Sequence, residues 1–161
     1  MSRPVGSGER SRFYRGSPWS SWGASTVWAA SVAVGAAGLL ATAAGLVDLL
    51  GDGGDTVQLL VFGGSAGLLA SVLAVWVRPP DRLRHADILC AITGSLVLFI
   101  FLVAGLFLLT QPAKSLADAL FQAATVGTTT ALEIVPVDAS DHAVRFLVGG
   151  SQWLGGIGAL L

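Results

Sequence analysis

Apolar residues in this chain lie in long blocks that carry no charge, with short polar segments between them. Charge-free blocks cover 23–47, 56–77 and 88–110. A soluble domain would instead repeat its apolar residues every three or four positions, with polar residues between. Because a helix needs roughly 20 apolar residues to cross a bilayer, we predict a transmembrane helical pair within 23–80 and a third transmembrane helix over 86–110.

The polar segments between the blocks indicate an orientation. Residues 1–22 are rich in Gly, Ser and Pro, and we predict a non-helical basic tail there. Arginine is frequent in this tail and in the loop before residue 86, and it is absent from the turn at 51–55. The arginines of the tail and the loop are Arg3, Arg10, Arg12, Arg15, Arg78, Arg82 and Arg84. The positive-inside bias therefore predicts a cytoplasmic N-terminus in a multi-pass protein of the plasma (inner) membrane.

The first apolar block could also be the core of a secretory signal peptide. Basic residues precede it, and Ala41-Thr42-Ala43 imitates a cleavage site. Its uncharged length exceeds the roughly 7 to 15 residues of a signal core. A retained helix is therefore the favoured interpretation.

A shorter apolar segment follows the third block. Residues 115–126, "SLADALFQAATV", are long enough for about half a bilayer at 1.5 Å per residue. Ser115 can accept a hydrogen bond from a backbone N–H near Asp118, and the Asp118 carboxylate complements the positive end of the helix dipole. This pattern predicts a capped, re-entrant pore helix.

A filter loop over 127–133 is the expected continuation. Its threonines Thr128, Thr129 and Thr130 offer carbonyl and hydroxyl oxygens that can replace water around an alkali cation. Carboxylates on the outer side, Glu133, Asp138 and Asp141, would raise the local cation concentration. The alternative from these residues alone is an ordinary external loop rich in threonine.

The last segment, 143–161, is apolar and predicts a fourth transmembrane helix. Its glycines would let another backbone approach closely, at Gly149, Gly150, Gly155, Gly156 and Gly158. It stops at about the length needed to cross a bilayer, and we expect that the helix is truncated.

Composition agrees with a membrane protein and narrows its chemistry. The chain of 161 residues is 53% hydrophobic and 12% charged, with a mean hydropathy of +0.74 and a net charge of −1. We expect the lipid bilayer as its surroundings and no nucleic-acid partner. Cys90 is the only cysteine, and His85 and His142 have no second ligand three or four positions further along the chain, so neither an intrachain disulfide nor a metal site is expected. We find no catalytic set or nucleotide loop, and we predict neither an enzyme nor a bound cofactor.

Three motifs in order resemble the Trk/Ktr/HKT family of potassium uptake membrane subunits. They are Asp118–Phe121, Thr128–Thr130 and Gln152–Gly158, "QWLGGIG". The resemblance implies an all-α membrane protein, with a helical pair followed by one helix–pore helix–filter loop–helix repeat over 81–161. It also implies monovalent cation transport, potassium in most of the family, through a filter at Thr128–Ala131. A cytoplasmic nucleotide-binding regulatory subunit is a usual partner in the bacterial branch.

The family register also shows two departures. It assigns Gly127 to the last turn of the pore helix and puts Ala131 at the position of the filter glycine. Because alanine replaces that glycine, the selectivity between potassium and sodium stays open. The family builds one pore from four repeats, and this chain has one. The chain could therefore act with the remaining pore repeats of a longer subunit or with further copies of itself, or it could be a small or truncated membrane protein with a structural or interaction role and no transport.

Overall fold

The computed structural model describes residues 18–51, 53–77, 84–110, 115–130, 132 and 141–160. Within these ranges the chain forms five α-helices and no strand, so the prediction of an all-α protein is confirmed for them. The helices are α1 (Pro18–Leu50), α2 (Thr56–Trp76), α3 (His85–Thr110), α4 (Leu116–Gly127) and α5 (His142–Leu160).

Three helices are long and apolar enough to cross a membrane. They are the Gly23–Leu50 part of α1, all of α2 and all of α3. α5 has 19 residues, but Arg145 and Gln152 make it more polar, and it is not among the three. The membrane character predicted from the apolar blocks therefore rests on α1, α2 and α3.

The start of α1 differs from the prediction. The non-helical tail was expected to extend to residue 22, whereas the helix begins at Pro18. Proline suits the first helical position because its fixed φ is helical and its missing N–H would have no partner there. The rest of the predicted tail, 1–17, lies outside the described residues.

α1 and α2 form an antiparallel hairpin with their backbones in contact. A Cβ built on Gly63 would contact Thr42 Oγ1 and would lie 2.9 Å from the carbonyl oxygen of Gly38. On the α1 side, a Cβ on Gly38 would lie 3.0 Å from the backbone nitrogen of Gly67. Small residues allow this approach, which maximises van der Waals contact where the hydrophobic effect does not drive helix association.

A buried carboxylate fixes the turn of the hairpin. Asp48, at the end of α1, is 6% exposed. Its Oδ2 accepts hydrogen bonds from the Asp55 backbone N–H at 3.0 Å and from Thr56 Oγ1 at 2.8 Å. Asp48 therefore satisfies donors at the start of α2 and holds both helices at the turn.

α1 packs against α2, α3 and α5, and α3 contacts each of the four other helices. α4 contacts α3 and α5. The turn at 51–55, the end of α3 and the starts of α4 and α5 share one end, which we call the turn end. His142 Cδ2, for example, lies 3.3 Å from a Cβ built on Gly51. Residues from all five helices form the buried apolar core, among them Leu40, Leu59, Phe107, Ala123 and Leu147.

Two adjacent glycines of α2 test the hairpin contact. Gly63→Ala inserts a methyl group against Thr42 and should lower the unfolding free energy by about 1–3 kcal/mol, the usual effect of overpacking. Gly64→Ala is the matched control, because a Cβ there meets nothing within 4 Å; it should be neutral, or stabilising by up to about 1 kcal/mol. Unfolding of both variants in detergent micelles is the measurement. Equal stability of the two variants would contradict this packing.

Candidate functional site

α4 begins with a side-chain cap at the turn end. Ser115 has an extended backbone with φ −152° and ψ 157°. Its Oγ accepts from the Asp118 backbone N–H at 3.1 Å and donates to Asp118 Oδ2 at 2.8 Å. The first turn of α4 therefore has a hydrogen-bonded donor and a carboxylate near its positive dipole end.

α4 ends about halfway along the bundle. Gly127, its last residue, lies beside α3, where Ile100 Cγ1 is 3.4 Å from a Cβ built on that glycine. Ile100 precedes the end of α3 by about ten residues, or about 15 Å of helix. On the other side Gly127 touches Gly155, about 20 Å along α5 from His142. Both neighbours put the end of α4 roughly halfway along the bundle.

The chain leaves α4 through a Schellman motif that has threonine where glycine is usual. The Thr130 N–H donates to Thr125 O at 2.9 Å, and the Thr129 N–H donates to Val126 O at 3.1 Å. Thr129 has φ 61°, in the left-handed region. A β-branched residue is strained there, so a local sequence rule would not find this motif.

The hydroxyls of two predicted filter threonines bond to the end of α4. Thr128 Oγ1 donates to Ala124 O at 2.7 Å. Thr130 Oγ1 donates to Thr125 O at 3.0 Å and lies 3.1 Å from Thr128 Oγ1. Each hydroxyl is therefore a second donor to a helix carbonyl that already accepts the backbone N–H of the same threonine. Each oxygen keeps lone pairs, but the hydroxyls are oriented by the helix rather than by an ion.

The backbone carbonyls of the same turn are the more available oxygens. Thr128, Thr129 and Thr130 are exposed, and in the described parts of the chain no donor bonds to their carbonyl oxygens. The negative end of the α4 dipole points to the same place. Neutral oxygens beside a partial negative charge can replace part of the hydration shell of a cation. The other predicted site residues of this region, Ala131, Glu133 and Asp138, lie outside the described residues.

Glycines of α5 make room for this turn. A Cβ on Gly155 would overlap the Gly127 carbonyl group, and a Cβ on Gly156 would lie 3.6 Å from Thr129 Cγ2. Ser151, one turn before Gly155, is completely buried, and its Oγ has no hydrogen-bond partner among the described residues. Gly155 and Gly156 of the "QWLGGIG" segment therefore form the part of α5 against which the end of α4 packs.

Asp141 lies away from the threonine turn, at the turn end. Its Oδ1 accepts from the Val144 N–H at 2.9 Å and caps α5. Together with Asp48, Asp55 and His142 it lines a cavity of about 100 Å³. Burial, and then the charges of Asp48 and Asp141, raise the pKa of Asp55 above its ordinary 3.8. We name this group the acidic cavity; sequence reasoning missed it because its members are up to 94 positions apart.

The described residues contain no group of three or more His, Cys, Asp and Glu side chains arranged to hold a metal ion. In the acidic cavity, the charges of Asp48 and Asp141 act on Asp55 in the same direction as its burial. Asp55 occupies the N-cap position of α2 without making a side-chain cap bond.

Thr129→Gly tests the strained turn. The left-handed conformation costs an L residue roughly 1–2 kcal/mol, and the greater freedom of glycine in the unfolded chain offsets about 0.5–1 kcal/mol of that gain. We expect a net stabilisation of up to about 1 kcal/mol. Thr128→Gly is the control: it removes the hydroxyl bond to Ala124 and should destabilise by about 1 kcal/mol. If unfolding in micelles shows equal losses for both variants, the strain argument is wrong.

Asp55→Asn tests the acidic cavity. Because the folded pKa is raised, the folded state holds this proton more tightly than the unfolded chain does. The stabilising contribution is complete below pH 3.8 and is lost as the pH rises through the folded pKa. The Asn variant stays neutral, so it should have the higher unfolding temperature at pH 7, and the difference should disappear below pH 3.8. A difference that is independent of pH would contradict this.

Comparisons with protein-family models, with curated proteins and with solved structures found no match for the chain. The family resemblance therefore depends on the motifs in the sequence alone. The geometry of α4, the threonine turn and α5 supplies the independent physical argument for a function.

Proposed function

We propose that this chain contributes one filter loop to a transmembrane pathway for monovalent cations, as in a Trk-type potassium uptake system. The carbonyls of Thr128, Thr129 and Thr130 are the proposed ion ligands. One observation carries the proposal: a capped half-length helix ends at mid-bundle in an exposed turn whose carbonyls have no donor in the described residues. An ordinary external loop would stay at the end of the bundle, where water can bond to its carbonyls, and would not place such a turn halfway along the helices.

The electrostatics of the turn favour a cation over an anion. The α4 C-terminus contributes a partial negative charge, and the neighbouring oxygens are all hydrogen-bond acceptors. Neutral carbonyls suit a weakly hydrated monovalent ion, whereas a divalent ion would favour carboxylates. Ala131 occupies the position of the filter glycine, so flux measurements with each ion have to decide between potassium and sodium.

The turn needs further protein around it. An irregular backbone segment is tolerated at membrane depth only beside protein or a water-filled cavity. The proposed pathway is therefore completed by remaining pore repeats or by further copies of the chain. The wider proposal assigns it to the plasma membrane with a cytoplasmic N-terminus, and includes a cytoplasmic nucleotide-binding regulatory subunit as a partner.

Growth and ion flux test the proposal. The gene, expressed over its full coding length in a bacterial host without its own potassium uptake, should restore growth at low potassium and rubidium uptake by the cells. Gly155→Ala should abolish both, because its methyl group would displace the carbonyl of Gly127. Gly158→Ala is the matched control in α5, since a Cβ there meets nothing within 4 Å.

Absence of uptake from the well-expressed wild type would refute transport and favour the alternative of a membrane protein with a structural or interaction role. Uptake that Gly155→Ala leaves unchanged would refute the placement of the filter. Circular dichroism and gel filtration should show that both variants keep their helices and their assembly. A loss of flux then results from a change in the threonine turn.

A further inference from the structure

A groove at the turn end lies between the end of α1 and the first turn of α5. It has a volume of about 490 Å³. Its lining is partly apolar and partly basic, formed by Val47, Leu50, Gly51, His142, Arg145 and Phe146. Leu50 is 88% exposed and Phe146 39% exposed, so the apolar wall of this groove faces the surroundings of the bundle.

Arg145 has no counter-charge from the described parts of the chain. It is exposed on the first turn of α5 and forms no ion pair there. The groove lies where α1, a candidate membrane span, ends. That is the level of the lipid headgroups, where arginine side chains extend to reach phosphate. The planar guanidinium matches a phosphate with two parallel hydrogen bonds.

The acidic cavity adjoins this groove, because Gly51 and His142 line both. Its three carboxylates would repel a headgroup with net negative charge. A primary ammonium group, in contrast, has three N–H donors and a positive charge to offer them. Charge complementarity over the two cavities therefore selects a zwitterionic headgroup that has phosphate on one side and ammonium on the other.

We propose that the groove binds one phospholipid with a primary-ammonium headgroup. Its phosphate lies on Arg145, its ammonium group points to Asp55 and Asp141, and one acyl chain follows Leu50 and Phe146. Such a lipid would connect the α1–α2 turn to the start of α5 from outside. The proposal depends on the membrane character of α1–α3 and is independent of ion transport.

Lipid titration followed by native mass spectrometry tests the proposal on the full chain in detergent micelles. Phosphatidylethanolamine should bind with one saturable site. Two other lipids should bind about tenfold more weakly. They are phosphatidylcholine, because its quaternary ammonium cannot donate hydrogen bonds, and phosphatidylglycerol, because it is anionic. Arg145→Gln should lower the affinity for phosphatidylethanolamine about tenfold. Arg84→Gln is the matched control, because Arg84 is also exposed and lies at the other end of the bundle.

Asp55→Asn separates the two halves of the site. It should weaken phosphatidylethanolamine more than phosphatidylcholine, because both headgroups lose a charge interaction and only the primary ammonium also loses a hydrogen bond. Equal binding of the three lipids by the wild type would overturn the proposal, as would equal effects of Arg145→Gln and Arg84→Gln. Circular dichroism of each variant shows whether the helices are intact, and Arg145→Lys, which keeps the charge, should retain part of the affinity.

Discussion

Backbone carbonyl and N–H groups that lie at membrane depth need partners, because hydrocarbon offers none. We propose that the end of α4 lies at membrane depth, where it would have to meet this requirement. Carbonyls of Ala124, Thr125 and Val126 each accept a bond from the threonine turn. The helix end is thus completed by its own continuation, and among the described residues no donor bonds to the carbonyls of Thr128, Thr129 and Thr130.

The glycine surfaces of α2 and α5 follow from the same requirement for close contact. Gly63 brings α2 against α1 at Gly38 and Thr42, and Gly155 brings α5 against the carbonyl of Gly127. This glycine contact and the Asp48 cap hold α2 on α1, and α3 and α5 also pack against α1. α4 can then lie in the angle between α3 and α5 without crossing the whole bundle.

Local and contiguous features could be predicted from the sequence. The helices follow from apolar blocks, since each block is continuous along the chain, and the α4 cap follows from Ser115 and Asp118 three positions apart. The left-handed Thr129 could not be predicted, because glycine is the residue that local rules expect there. The threonine hydroxyls were expected to be ion ligands as much as the carbonyls, whereas Thr128 and Thr130 direct theirs to α4. The acidic cavity required tertiary structure, since it joins Asp48 to Asp141.

The central claim is that α4 enters the membrane from one side and that the chain returns to that side before α5. Labelling of single cysteines with a membrane-impermeant maleimide tests it most directly, in a Cys90→Ala background in sealed vesicles of known orientation. Ser115→Cys and Asp141→Cys should both be labelled from the same side of the membrane. Labelling of the two positions from opposite sides would mean that 115–141 crosses the bilayer, and would contradict the account.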